Sequence, residues 1–158
     1  MAQADLANVW AIEQTLVGAW TQPLLKEEFA LPHGWRFIAK SGDVLLGYIF
    51  GVIIADEAEI RKLAVAANYR RQGIAGILIT AALRYLADHK AATCFLEVRQ
   101  NNRAALNLYR QFGFQQIGIR KSYYTSPSDN AIIFRKDIVY AFTSTKMADS
   151  KLNGPFSD

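Results

Sequence analysis

Cysteine is almost missing from this 158-residue chain: Cys94 stands alone. An internal disulfide and a cysteine-built metal cluster are therefore excluded. Histidine is nearly as scarce. His33 sits in a turn sequence and His89 at the end of a helical one, and no residues stand at zinc-ligand spacing. No apolar run approaches the ~18 residues that a membrane span needs. The first ten residues, MAQADLANVW, hold neither a basic segment nor the apolar core of a secretion signal. No internal repeat and no RNA-binding aromatic signature are present. What remains is the expectation of a metal-free, cytoplasmic protein.

What is there suits one domain. The chain is 51% hydrophobic and 12% aromatic, ample for a sizeable core. Its net charge is +4 with a pI near 9.3. That charge fits a solvated basic surface. It fits equally an anionic partner: phosphates, RNA or a ribonucleoprotein.

Taken in order, residues 5–17 read as a helix with Asp5 as its cap and Leu6, Val9, Trp10, Glu13, Leu16 and Val17 along one stripe. A second helix runs to Phe29, with Thr21 as N-cap and Pro23 in its first turn. Residues 35–40 alternate as a strand, Ser41-Gly42-Asp43 is turn chemistry, and residues 44–54 form the second strand of a hairpin. Residues 59–65 make a third strand, and a long helix follows from Ile74. Residues 93–98 read as a buried strand parallel to the third, because a helix connects them. Asn102 caps a helix over residues 103–112, and Gly113 ends it. Two more strands, 114–120 and 131–136, flank a polar loop over 121–130. The patterned region ends at Ile138. Residues 139–158 read as a partly disordered extension.

The stretch around which this order is arranged lies at residues 59–83. There a strand enters the turn Asn68-Tyr69-Arg70-Arg71-Gln72-Gly73, and Ile74, Ile77, Leu78, Ala81 and Tyr85 then recur at helical spacing. The first N–H groups of a helix have no partner inside it. With the positive end of the helix dipole they form an anion site. Gly73, Ala75 and Gly76 are small enough for a phosphate to approach, and Arg70 and Arg71 add charge. An ordinary strand-to-helix turn would look similar. The pattern Arg70-x-x-Gly73-x-Ala75, however, resembles the phosphate turn of the GNAT N-acetyltransferases. That resemblance implies acetyl-CoA as cosubstrate, held by Arg70, Arg71, Gln72, Gly73, Ile74, Ala75 and Gly76. It also implies that the backbone of Leu63, Ala64 and Val65 holds the pantetheine arm.

Forming an amide from a thioester requires a neutral amine, a donor for the developing oxyanion and a proton or hydrogen bond for the leaving sulfur. Residues 95–114, from Phe95-Leu96-Glu97-Val98-Arg99 through Asn102 to Leu108-Tyr109 and Gly113-Phe114, resemble the matching block of the N-terminal protein acetyltransferases. Glu97 interrupts an apolar strand, where a charge is costly unless paired or used. An ion pair with Arg99 or Lys62 would account for it. The resemblance implies a general base, acting directly or through a water. Tyr109 has a core-packing reading against Phe112 and Phe114; the resemblance implies the general acid to the departing thiolate. Asn102 is a helix cap, and by resemblance also a cofactor contact. Cys94, in an apolar strand with no histidine beside it, reads as a buried hydrophobe rather than a nucleophile.

Arg120-Lys121-Ser122-Tyr123-Tyr124 resembles the acceptor loop of the RimI-type branch of the family, with Tyr123 and Tyr124 in the substrate site. Surface packing is the other reading of these tyrosines. Thr125 stands where a proline often follows the double tyrosine, and Asp129-Asn130 where an acidic pair precedes Ala131. The resemblance spans residues 5–138. It implies an α+β GNAT fold: a mixed, mostly antiparallel sheet flanked by helices, within a single domain over 1–138, its first edge strand shortened or absent. The implied activity is acetylation of a protein N-terminus, the N-terminal alanine of a small-subunit ribosomal protein first among them. Direct attack in a ternary complex is expected, with no metal, no membrane and no direct nucleic-acid binding required. The rivals are a small-amine (polyamine-type) acetyltransferase and a non-catalytic coenzyme A- or ribosome-binding module.

Overall fold

A computed structural model describes residues 1–139. The elements are α1 (Leu6–Glu13), α2 (Gln22–Ala30), β1 (Gly34–Ser41), β2 (Val44–Ile54), β3 (Glu57–Val65), α3 (Ile74–Asp88), β4 (Thr93–Arg99), α4 (Arg103–Gln111), β5 (Gln115–Thr125) and β6 (Ser128–Asp137). They form one six-stranded sheet in the order β1-β2-β3-β4-β6-β5. Only β3 and β4 run parallel, joined through α3 as a crossover connection requires. The α+β architecture and the order of elements are those expected. No strand precedes α1 among the described residues, so β1 is an edge of the sheet. The extension expected over 139–158 lies, from residue 140 on, outside the described residues.

Each sheet face buries its own core. Alternate residues of a strand point to opposite faces, and the burial of β4 follows that period. Cys94, Leu96 and Val98 face α3 and α4, joining Ile74, Leu78, Ile79, Ala82, Leu106 and Tyr109. On the other face Val9, Ile12 and Leu25 of α1 and α2 cover Leu45, Tyr48, Phe50 and Ala64. The helix signals behave as read at α2, where Thr21 Oγ1 accepts from Leu24 N at 3.3 Å, and at α4, where Asn102 Oδ1 accepts from Ala105 N at 3.1 Å.

Two local readings are corrected. α1 stops at Glu13 rather than Val17, because residues 14–21 turn back across the sheet. Asp5 does not cap α1 with its side chain. Its carboxylate accepts from Ala2 N at 2.7 Å and pairs with Lys40 Nζ of β1 at 2.6 Å. A charged partner outcompetes a neutral cap.

Gly51 of β2 marks the tightest point of the sheet. A Cβ there would overlap the Trp35 indole and the Glu59 carbonyl oxygen. Neither can move far, since Trp35 is buried and the oxygen is backbone. Gly51→Ala is expected to cost about 3 kcal/mol or more by overpacking. Urea unfolding measures it, and a loss below about 1 kcal/mol would contradict this packing.

Candidate active site

The parallel strands separate partway along. β3 pairs with β4 only from Glu57↔Thr93 to Ile60↔Leu96. Yet β3 stays paired with β2 as far as Val65, and β4 with β6 as far as Arg99. Along the facing edges, residues 61–65 and 97–99 therefore have no strand partner. The N–H groups of Leu63 and Val65 and the C=O of Leu63, which would pair across this gap, are left to meet an extended ligand arm, while the Val65 carbonyl accepts from Arg70.

Beyond the gap β3 enters the turn to α3. Arg71 has φ +63° and Gly73 φ +81°. Glycine adopts that conformation without strain. Nothing lies within 4 Å of where a Gly73 Cβ would stand, so the space over the turn is open. The first bond of α3 runs from Ile77 N to Gly73 O at 3.1 Å. The N–H groups of Ile74, Ala75 and Gly76 thus lack intrahelical partners, as an anion cradle requires. Arg70 Nε donates to Val65 O at 3.1 Å and Gln72 Nε2 to Asn68 O at 3.2 Å, closing the turn on itself. The side chain of Ile74 is buried in the core, so only its N–H is offered. A Cβ on Gly76 would meet the Phe112 ring at 3.5 Å. That is an ordinary contact, and it sets Gly76 against the end of α4.

Glu97 and Tyr109 lie on opposite faces of the sheet. Glu97 is among the β4 residues that face the α1–α2 side. Its Oε1 pairs with Arg120 Nε of β5 at 3.1 Å, and its side chain is 23% exposed. Neither partner considered from the sequence holds it. Lys62 goes to Glu13, and Arg99 to the β5–β6 turn. Tyr109 sits under α4, 6% exposed, edge-on to Phe114 at 5.6 Å. Burial pushes its phenol well above the usual value, with Cys94 and Tyr124 adding to the shift. It stays protonated at any working pH, as a hydrogen-bond donor must.

The double tyrosine lies not in a loop but on β5, which runs to Thr125. A bulge between Arg120 and Tyr124, with Ser122 at φ +50°, interrupts the pairing with β6 there. The two rings meet edge-to-face at 5.1 Å. Tyr123 is 47% exposed, and Arg120 lies 5.3 Å from its ring centre. Hydrogen bonding to Glu97 pushes the Tyr123 phenol up. Burial does the same for Tyr124, and the Glu97 charge adds to it.

A second charge cluster escaped the sequence reading. Between Ile60 and Lys62 the register with β2 shifts, an irregularity that re-aims side chains. Consecutive cations of β3 thereby reach consecutive helices: Arg61 pairs with buried Glu28 of α2 at 3.2 Å, and Lys62 with fully buried Glu13 of α1 at 3.2 Å. Glu13 also accepts from Trp20 N at 2.7 Å and from the Tyr48 hydroxyl. The one signal for this was a glutamate inside an apolar helical stripe. Burial raises the Glu59 carboxyl as well, opposed by Arg61 and reinforced by Glu97.

Cys94 is fully buried, and burial pushes its thiol up to about 12. A raised thiol pKa keeps the unreactive form at pH 8. Iodoacetamide is expected to label the native protein at least ~100-fold more slowly than the urea-unfolded one, where the pKa returns to ~8.5. Equal rates would show Cys94 accessible. Among the described residues no group of three or more His, Cys, Asp or Glu could hold a metal ion, and no helix is long and apolar enough to cross a membrane.

A strand separated from its parallel neighbour thus opens onto a glycine-bearing helix start, an arrangement suited to an extended ligand that ends in phosphate. The sequence matches the model of the Acetyltransferase (GNAT) family over residues 6–114. The chain belongs to that family and is an acetyl-CoA-dependent N-acetyltransferase. It is 34% identical over 145 residues to the N-alpha-acetyltransferase RimI of Mycobacterium tuberculosis, covering 87% of this chain and 89% of that protein. It is 32% identical over 134 residues to the [ribosomal protein bS18]-alanine N-acetyltransferase of Escherichia coli K12, covering 82% and 88%. A crystal structure of the ribosomal-protein-S18-alanine N-acetyltransferase from Escherichia coli superposes with a TM-score of 0.82 at 28% identity, over 91% of this chain and 94% of the other.

Proposed function

We propose that this protein transfers the acetyl group of acetyl-CoA to the N-terminal α-amino group of a protein, the N-terminal alanine of a small-subunit ribosomal protein first among its acceptors. The observation that carries the reading is Glu97 with Tyr123 and Tyr124 on the face of the sheet beside the strand gap. An N-terminal amine approaching alongside the Tyr123–Tyr124 pair would arrive at a carboxylate. The ribosomal acceptor rests on the names of the relatives, and it would place the protein in the cytoplasm.

The residues present fit acetyl-CoA. The open N–H groups of residues 74–76 and the basic turn suit its pyrophosphate, and the unpaired edge at Leu63 and Val65 suits the amides of its pantetheine arm. Asn102, at the start of α4, would add a side-chain contact. Bound there, the cosubstrate supplies an activated thioester. Glu97 takes the proton from the acceptor ammonium, whose pKa of ~8 leaves it mostly charged at neutral pH. An N–H group at the β3 edge would stabilise negative charge on the carbonyl oxygen. Tyr109 donates a hydrogen bond to the leaving sulfur. Because its pKa lies above that of a thiol (~8.5), stabilisation of the thiolate is favoured over complete proton transfer. With Cys94 inert, the amine attacks directly in a ternary complex.

Coenzyme A release is the test. The acceptors are peptides beginning with Ala, Ser, Met or Gly, a peptide with only a side-chain lysine amine, and spermidine. Preference for the Ala-starting peptide is expected. Equal use of several N-termini would widen the function, and turnover of spermidine alone would reassign it to small amines. Acetyl-CoA binding without turnover of any acceptor would leave a binding module.

A further inference from the structure

Two segments far apart in sequence flank the sheet face that carries Glu97: the α1–α2 connection, residues 14–21, and the β5–β6 turn. One side chain touches both. Arg99, two residues beyond Glu97 on β4 and facing the same side, donates from Nη1 to Pro127 O at 2.8 Å and from Nη2 to Ser126 O at 3.1 Å. Its guanidinium carbon lies 4.1 Å from the centre of the Tyr124 ring. A Cβ on Gly18 would stand 3.1 Å from Nη2, so the α1–α2 connection rests directly on the fork. Lys62 holds the same residue, donating to Gly18 O at 3.2 Å.

We propose that Arg99 is a positioning residue for the acceptor: it locks the α1–α2 connection to the β5–β6 turn and sets the plane of Tyr124. The proposal rests on the peptide-acceptor reading above. Its physical basis is the guanidinium itself. A planar fork supplies two divergent donors and a flat face for stacking, whereas an ammonium supplies a point charge on a flexible stem. Gly18 fits the same account. With φ +70° and no side chain it lets the connection come down onto the fork.

Arg99→Lys and Gly18→Ala test it, the first from the strand and the second from the connection. In Arg99→Lys the KM for an Ala-starting peptide is expected to rise ~10-fold or more, the effect of losing charge-assisted bonds. The KM for acetyl-CoA should stay within twofold and kcat within threefold. Gly18→Ala should move the peptide KM in the same direction. Hydrogen exchange at residues 14–21 and 122–127 should quicken together in Arg99→Lys, because one clamp holds both. A peptide KM that moves less than twofold would overturn the proposal. So would an equal rise in both KM values, or exchange unchanged in either segment. Failure of the wild-type protein to use any peptide would sink the functional reading instead, and the exchange measurement would still decide whether Arg99 joins the two walls.

Discussion

Glu97→Gln is expected to lower kcat ~10²- to 10⁴-fold, the usual contribution of a positioned general base. Acetyl-CoA should bind within about twofold of wild type. Nothing in the cradle at residues 73–76 or in the free edge of β3 depends on the carboxylate, which faces the α1–α2 side. The fold should survive too. The Arg120 guanidinium is 56% exposed, so losing the pair costs under about 1 kcal/mol. The ion pair matters more for chemistry. Arg120 Nε holds Oε1 and so fixes the orientation of the carboxylate. Stopped assays with saturating peptide, together with acetyl-CoA titration, separate turnover from binding. Turnover within threefold of wild type would place the base elsewhere, with Glu59 the next carboxylate on that face.

Glu13→Ala is expected to destabilise the protein by about 3–5 kcal/mol, the cost of removing one partner from a buried ion pair. Glu13 is fully buried, and the Lys62 side chain is only 15% exposed. Without the carboxylate, an ammonium already disfavoured by burial loses its counter-charge. The Tyr48 hydroxyl and Trp20 N–H lose their acceptor as well. Glu13→Gln keeps the volume and one acceptor oxygen, so it should cost less than Glu13→Ala. Urea unfolding of both variants checks the order. A loss below about 1 kcal/mol in Glu13→Ala would mean that water or another group takes the carboxylate's place. Since Lys62 and Trp20 N belong to the network that seats the α1–α2 connection, weaker acceptor binding should accompany the loss of stability.

How far the chain could be read without coordinates differs from element to element. The helix starts at Thr21 and Asn102 were legible because a cap is a contact between residues three apart. The glycine turn at Gly73 was legible because a left-handed backbone at a helix start has few other solutions. The β2 limits, Val44–Ile54, followed from an unbroken apolar run. Asp5 misled because its nearest partner in space, Lys40, is 35 residues away in the chain. The double tyrosine was read as a loop because polar residues 121–130 mask a strand whose pairing partner carries the pattern.

Resemblance of residues 95–114 to the N-terminal protein acetyltransferases supplied Glu97 and Tyr109 as candidates, while local chemistry along the chain dictated the order of elements, the glycine turn before α3 and the burial of Cys94. Each of these depends on period, capping or residue type over a few neighbouring positions. Three-dimensional packing decided the rest: that β3 and β4 part after Ile60, that Glu97 pairs with Arg120 rather than Arg99 or Lys62, and that the irregularity at Arg61 sends two cations to two buried glutamates. A strand's unpaired length and a charge's partner depend on groups brought together from 20 to 50 residues apart, and periodicity carries no record of that distance.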